Sequence, residues 1–346
     1  MTVRLSDRTT LGVGGPAADF VVASSEAELI GYVTSLDAAG HPLLLLGGGS
    51  NLVCGDAGFD GTVIATEVRG ITIRADGDEI DVVAACGEPW DELVSQAAEA
   101  RWTGIEALSG IPGLVGATPI QNVGAYGQEV SQTITHVRAL DRRTGTVVEL
   151  AGHECAFTYR GSVFKEETDR WVVLSVGFRL AARGESVVRY AQVADALGQQ
   201  VGEADDVQRI RDAVLALRRA KGMVLDRDDP DTRSAGSFFT NPILTESAAA
   251  TLPSQCPRYV ASAGVKVSAA WLIEHSGVTR GWQAVAGSRA AVSSKHTLAI
   301  SNLGGATASE VIELARAIRG RVHSAFAIEL EAEPRFVNCD LGLIVD

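Results

Sequence analysis

Cysteine is scarce and scattered in this 346-residue chain: there are five, at positions 54, 86, 155, 256 and 339. The odd number, wide spacing and absence of C-x-x-C argue against a disulfide framework or a structural zinc site. They read as isolated core thiols in a reducing compartment. Long apolar runs are also missing, with no window near 18 consecutive apolar residues, so no membrane-spanning helix is expected. The first ten residues carry Arg4, Asp7 and Arg8 and no apolar run; they do not read as a signal peptide, and a cytoplasmic location is expected. Positive charge is in deficit. Lys plus Arg number 30 against 43 Asp plus Glu, a net charge of −13, and that field repels a nucleic-acid polymer. The six histidines show no metal-ligand spacing, so no metal is expected. Nothing in the sequence suggests an obligate protein partner.

What is present is globular composition, 46% hydrophobic and 21% charged. The length suits about two domains and a large core. Ala18–Ala23 reads as a strand. Ser25 and Glu28 form a capping box for a helix that stops at Gly40. Pro42–Leu46 reads as a buried strand feeding Gly47-Gly48-Gly49. Short strands follow over Gly61–Thr66, Ile71–Ala75 and Glu79–Ala84. Pro89 suits the first turn of a helix with Trp90, Leu93, Val94 and Ala97 on its inner face. Ser109–Gly127 is a long glycine-rich loop. Ile134–Leu140, Thr146–Leu150 and Arg170–Leu180 read as strands and Asp205–Arg219 as a helix. Met223–Ser234 reads as a solvated loop, Ser268–His275 as a short helix, and Ala291–Asn302 as a loop into a strand. Thr307 and Glu310 box a helix to Gly320, and Val322–Arg335 reads as a terminal strand. Uneven alternation of strands and helices predicts an α+β fold.

Several segments carry candidate chemistry. Gly12-Val13-Gly14-Gly15-Pro16-Ala17 matches G-x-G-x-x-A, but no strand precedes it and Pro16 removes an N–H, so it reads as a turn. Leu46-Gly47-Gly48-Gly49-Ser50-Asn51 follows a strand; it is either a structural turn or a loop whose bare amides cradle a diphosphate without cationic side chains. It lacks the Lys-[Ser/Thr] of a P-loop. Ser109-Gly110-Ile111-Pro112-Gly113-Leu114-Val115-Gly116-Ala117, running on to Gly127, is a second such loop. Two glycine loops fit a large flat cofactor. Arg160, after Tyr159, offers a planar fork for a carboxylate or is a solvated loop arginine. Ser237 is not in G-x-S-x-G, because Phe239 replaces the second glycine. Glu331 and Glu333 lie two apart in the terminal strand pattern, so alternation puts both on one face, opposite Leu330 and Ala332; they read as a carboxylate acid near Arg160 or as a solvated edge-strand pair.

Taken together the chain resembles the UDP-N-acetylenolpyruvoylglucosamine reductase family. The resemblance rests on Thr9-Thr10-Leu11…Gly14-Gly15-Pro16-Ala17, Leu46–Asn51, Ser109–Gly116 and Pro119–Gly127. It extends through Tyr159-Arg160-Gly161-Ser162-Val163-Phe164-Lys165, Ala235–Pro242, Val265-Lys266 with Ala270–Ile273, and Leu330–Phe336. It implies an α+β fold comprising the FAD-binding fold of the vanillyl-alcohol oxidase type, in two subdomains, plus a substrate-binding domain. Residues 1–70 would form the first subdomain, residues 71–220 with the C-terminal strand 325–346 the second, and residues 221–324 the substrate domain. It implies FAD and NADPH as cofactors and a nucleotide-sugar substrate. Hydride would pass from NADPH to FAD and then to the enolpyruvyl group, giving UDP-N-acetylmuramate for peptidoglycan synthesis. Arg160 and Glu333, the latter protonated, would stabilise the carbanionic intermediate, and Ser237 would donate the proton. FAD would contact Leu46, Gly47, Gly48, Gly49, Ser50, Asn51, Leu52, Ser109, Gly110, Ile111, Pro112, Gly113, Gly116, Ala117, Gln121, Gly124 and Ala125. Tyr159, Tyr190, Lys221, Asn241, Lys266 and His296 would contact substrate. The Tyr190 region points to the longer, type I subtype. Pro334 follows Glu333 where an aliphatic residue is usual, making Glu331 a fallback, and the insert Asp228–Arg233 lengthens the loop before Ser237. A flavin-dependent alcohol oxidase and a non-catalytic nucleotide-sugar binder remain the alternatives.

Overall fold

A computed structural model describes residues 2–261 and 263–342. Backbone contacts gather the chain into two units. The first comprises Met1–Ala18, Gly49–Phe59 and Lys221–Asp346, the second Asp19–Gly48 and Asp60–Ala220.

The second unit is built on an antiparallel five-stranded sheet in the order Thr146–Ala151, Ile134–Asp141, Trp171–Ala181, Glu79–Ala85 and Ile71–Asp76. Inward alternation along Glu79–Ala85 buries Ile80, Val82 and Ala84, the period-two pattern of a half-buried strand. Leu43–Leu46 pairs in parallel with Phe59–Thr66. The helix Glu26–Ala38 starts at Ser25, whose hydroxyl accepts from the Glu28 amide while the Glu28 carboxylate accepts from Ser25 N. Leu29 and Val33 go into the core with Trp90, Leu93, Val94 and Phe178. Two bidentate pairs, Arg138 with Glu26 and Arg142 with Asp37, tie this helix to the sheet strand beside it. Pro89 is the residue before the Trp90–Glu99 helix rather than within its first turn. The Ser109–Gly127 loop contains a short turn at Val115–Ala117 and a small hairpin, Gly124–Ala125 with Gln128–Glu129.

The first unit contains the antiparallel sheet Ser234–Ser237, Ala299–Asn302, Ala290–Val292. Leu52–Cys54 pairs in parallel with Arg335–Val337. Its core gathers Leu11, Val53, Phe238, Phe239, Leu272, Ile300, Val311 and Ile318. The boxed helix runs Ala308–Phe326, with Thr307 and Glu310 reciprocally bonded and Asp56 accepting from the Ala308 and Ser309 amides.

Val322–Arg335 is not a strand: helix continues to Phe326, and the terminal strand is only Arg335–Val337. Gly320 does not end the helix, because Val322 continues the buried stripe of Val311, Leu314, Ala315 and Ile318 and tertiary burial outweighs one unfavourable glycine of about 1 kcal/mol. The helix ends instead at left-handed Ala327. Glu331 and Glu333 therefore do not share a strand face; Ala332 between them makes an isolated bridge to Phe239. Positions 343–346 of the expected strand lie outside the described residues.

Burial pushes the Cys54, Cys86 and Cys155 thiols up to about 12, which leaves them as core packing rather than thiolate nucleophiles. Among the described residues no group of three or more His, Cys, Asp or Glu could hold a metal, and no helix is long and apolar enough to cross a membrane.

Candidate active site

In the second unit the two glycine loops meet. The strand Leu43–Leu46 delivers Gly47 and Gly48 to an exposed turn. A Cβ on Gly48 would lie 2.9 Å from Gly113 Cα, and one on Gly47 would lie 3.6 Å from a Leu114 methyl. The Ser109–Gly116 loop is held from below by the first turn of the Trp90–Glu99 helix. Trp90 N donates to Gly113 O and the Trp90 indole to Leu108 O. Asp91 accepts from Gly110 N at 2.6 Å and from Arg211 through both carboxylate oxygens. Burial works to raise the Asp91 carboxyl, but Arg211 and the Gly110 amide hold it below its ordinary value.

Arg160 lies in the same unit. Its guanidinium donates to Asn122 O at 3.3 Å and Gly124 O at 2.7 Å, across the Pro119–Gly127 segment. Arg160, Asn122 and Tyr126 all have left-handed backbones, with φ of 53°, 45° and 49°, a strained geometry that clusters where function requires it. Tyr159 lies beside the Arg160 guanidinium. Tyr190 is exposed and packs edge-on to Tyr126 at 5.5 Å.

Ser237, Glu333, Gly49, Ser50, Asn51, Leu52, Lys221, Asn241, Lys266 and His296 fall in the first unit. Ser237 ends the strand Ser234–Ser237 and pairs with Ala299 across a bulge. Glu333 N donates to Phe238 O at 2.9 Å and Thr240 N to Glu331 O, so Glu333 runs alongside the residue after Ser237. Asn51 donates from its side chain to Glu333 O and accepts from Arg335 N. Glu331 is exposed whereas Glu333 is partly covered. The Asn241 side chain accepts from Ala269 N and so caps the Ala269–His275 helix. Lys266 sits over the Tyr259 ring. The His296 amide donates to Ser293 Oγ.

Two family models match the chain. The one described as UDP-N-acetylenolpyruvoylglucosamine reductase, C-terminal domain, covers residues 228–337 and the one described as FAD binding domain covers residues 17–151. A curated UDP-N-acetylenolpyruvoylglucosamine reductase of Salinispora arenicola is 49% identical, covering 97% of this chain and 95% of its own length. Another from Thermobifida fusca is 47% identical, covering 98% of each.

The chain belongs to the UDP-N-acetylenolpyruvoylglucosamine reductase family.

Its fold agrees with that membership. The crystal structure of a UDP-N-acetylenolpyruvylglucosamine reductase from Thermus caldophilus superposes with a TM-score of 0.66 at 25% identity, covering 97% of this chain and 98% of that one. The fold is α+β with an FAD-binding domain, as the resemblance implied. A member of this reductase family with an FAD-binding domain is an FAD-dependent oxidoreductase.

The second unit fits the flavin. Gly48 lies too close to the Gly113 backbone to carry a side chain, so what the first loop can present there is main chain, the donor type that grips a diphosphate without added charge. Reading residues for direct contact missed the supports beneath: Asp91, Arg211, Trp90 and Asn122. Asn122 is buried and donates to Glu129 and Thr158 O while accepting from Ser131 N. Nothing in one sequence marks such long-range partners.

The acidic insert before Ser237 is also bonded in. Asp231 is buried and accepts from Ser293 Oγ, Ser294 N and Ser294 Oγ at 2.6–2.8 Å, while Lys295 pairs with Asp229. Burial works to raise the Asp231 carboxyl, but the Ser294 and Ser293 hydrogen bonds hold it below its ordinary value. A depressed carboxyl contributes stability above its unfolded pKa and loses it as pH falls through the folded value. Asp231→Ala is expected to cost about 2 kcal/mol at pH 7, and less as the pH drops below about 4. Urea midpoints at both pH values measure this; an unchanged difference would show the carboxylate charge to be irrelevant.

Proposed function

We propose that this reductase converts the enolpyruvyl ether of UDP-N-acetylglucosamine into UDP-N-acetylmuramate for peptidoglycan precursors, in the cytoplasm, with NADPH as hydride source. The near-full-length identity to reductases named for that substrate is the observation that carries the reading. The site residues of this chain supply the groups the reaction needs. Bound FAD would accept hydride from the nicotinamide and hold it for the alkene. Residues Leu46–Leu52, Ser109–Gly113, Gly116, Ala117, Gln121, Gly124 and Ala125 would hold that cofactor.

Hydride arriving at the terminal alkene carbon leaves negative charge on the neighbouring carbon and its carboxylate. Fixed donors help most where charge develops. Arg160, its side chain braced by two carbonyls, would meet the carboxylate with a planar fork. Glu333 would stabilise the same charge, and Ser237 would deliver the proton. Tyr159, Tyr190, Lys221, Asn241, Lys266 and His296 would orient the nucleotide sugar, the lysines answering its anionic groups despite the chain's net charge of −13. The same reading divides the chain into residues 1–70, residues 71–220 with the C-terminal segment, and residues 221–324.

The purified protein is expected to be yellow and to oxidise NADPH in proportion to added enolpyruvyl substrate. Colourless protein that still binds the nucleotide sugar would favour a non-catalytic binder. Flavin reduction by a simple alcohol would favour an oxidase.

A further inference from the structure

The N-terminal Thr9–Gly15 motif folds as a brace within the first unit. Thr9 Oγ1 donates to Val13 O at 3.1 Å and Gly12 N to Thr9 O, which closes the segment on itself. Asn302 Nδ2 donates to Leu11 O and Gly12 O, while its Oδ1 accepts from the Gly304 and Ala306 amides. At the centre, Thr10 reaches two ways. Its amide donates to Gly49 O at 3.1 Å. Its hydroxyl donates to Ser234 O at 2.6 Å.

Ser234 opens the strand that ends at Ser237. The pairing is Ser234 with Ser301, then Ser237 with Ala299, so three steps on one strand face two on the other. Gly236 in between has φ of 74°. A bulge of this kind re-aims the side chain beyond it. The segment is therefore fixed at two ends, at Ser234 and by the Ser237–Ala299 pairing with the Phe238 amide on Leu298 O, with the bulge between them. Glu333 is joined to the far side of the same segment through Phe238 O.

We infer that Thr10 is a positioning residue for the proton-donating serine, its hydroxyl locking the Ser237 strand to the glycine turn at Gly49. This rests on the proposed reductase reading, in which Ser237 donates the proton.

Thr10→Val keeps the shape and removes the hydroxyl. Oxidation of NADPH in the absence of nucleotide sugar is expected to stay within about twofold of wild type, and flavin affinity likewise, while reduction of the nucleotide sugar by prereduced enzyme slows about tenfold. Thr10→Ser is expected to restore that rate. Amide exchange at Phe238, which donates to Leu298 O, is expected to quicken in Thr10→Val alone, a readout that needs no turnover. Thr10→Ala serves as the test if the valine variant does not fold. Equal slowing of both half-reactions without rescue by serine, or a folded variant matching wild type in substrate reduction and exchange, overturns the inference. A wild-type protein that never reduces the nucleotide sugar overturns the parent reading instead.

Discussion

Alanine at position 237 is expected to slow reduction of the nucleotide sugar by about 10³-fold, within the range general acids supply, and to leave NADPH oxidation in its absence within about twofold of wild type. The first half-reaction needs no proton from the protein at the substrate carbon, so a hydroxyl at 237 has nothing to do in it. The second generates negative charge next to the carboxylate, and without a positioned donor that carbon must wait for solvent. Ser237 is partly covered and sits at the end of its strand, one residue from the carbonyl that accepts the Glu333 amide. Stopped-flow traces of the two half-reactions separate the outcomes, and the solvent deuterium isotope effect on the second should change in the variant. Equal loss in both halves would refute the serine's assigned role.

Gly48→Ala is expected to weaken flavin binding by about 10²-fold and to yield largely colourless protein. The new Cβ would lie 2.9 Å from Gly113 Cα and 3.4 Å from Gly113 C. Both contacts are backbone, so no flexible side-chain end can swing aside. Gly113 in turn cannot retreat freely, because Trp90 N donates to its carbonyl and the neighbouring Gly110 is held by Asp91. The loops must therefore separate, and the main-chain groups they present lose register with the ligand. Overpacking of this kind costs about 1–3 kcal/mol, so a folded but flavin-poor protein is expected. Gly31→Ala is the control. Gly31 lies in the exposed middle of the Glu26–Ala38 helix with nothing within 4 Å of a built Cβ, and it should raise stability by about 0.5–1 kcal/mol without touching flavin affinity. Retention of full colour and wild-type flavin affinity by Gly48→Ala would remove the glycine turn from the cofactor site.

Local signals were legible where the physics is local. The capping boxes at Ser25/Glu28 and Thr307/Glu310 each involve four consecutive residues, and both form as read. The strand Leu43–Leu46 before the glycines is likewise bounded by its own neighbours. Local pattern is insufficient where a residue's state depends on distant partners. Val322–Phe326 has strand-like composition but continues a helix because the first unit's core accepts its apolar stripe. Pro89 stands one position before the helix, its extended backbone bridged to Leu114 across the loop.

From the order of its residues alone came the class of fold and the two glycine turns, because turn chemistry resides in short stretches of chain; the set of serine, arginine and glutamate to test came from the family resemblance. Only the folded molecule decided that Glu333 runs beside Phe238, that Asp91 and Arg211 underpin Gly110, and that Thr10 joins Gly49 to Ser234. Those are hydrogen bonds between groups tens to hundreds of positions apart. Their partners are chosen by how the cores close, which no local pattern encodes.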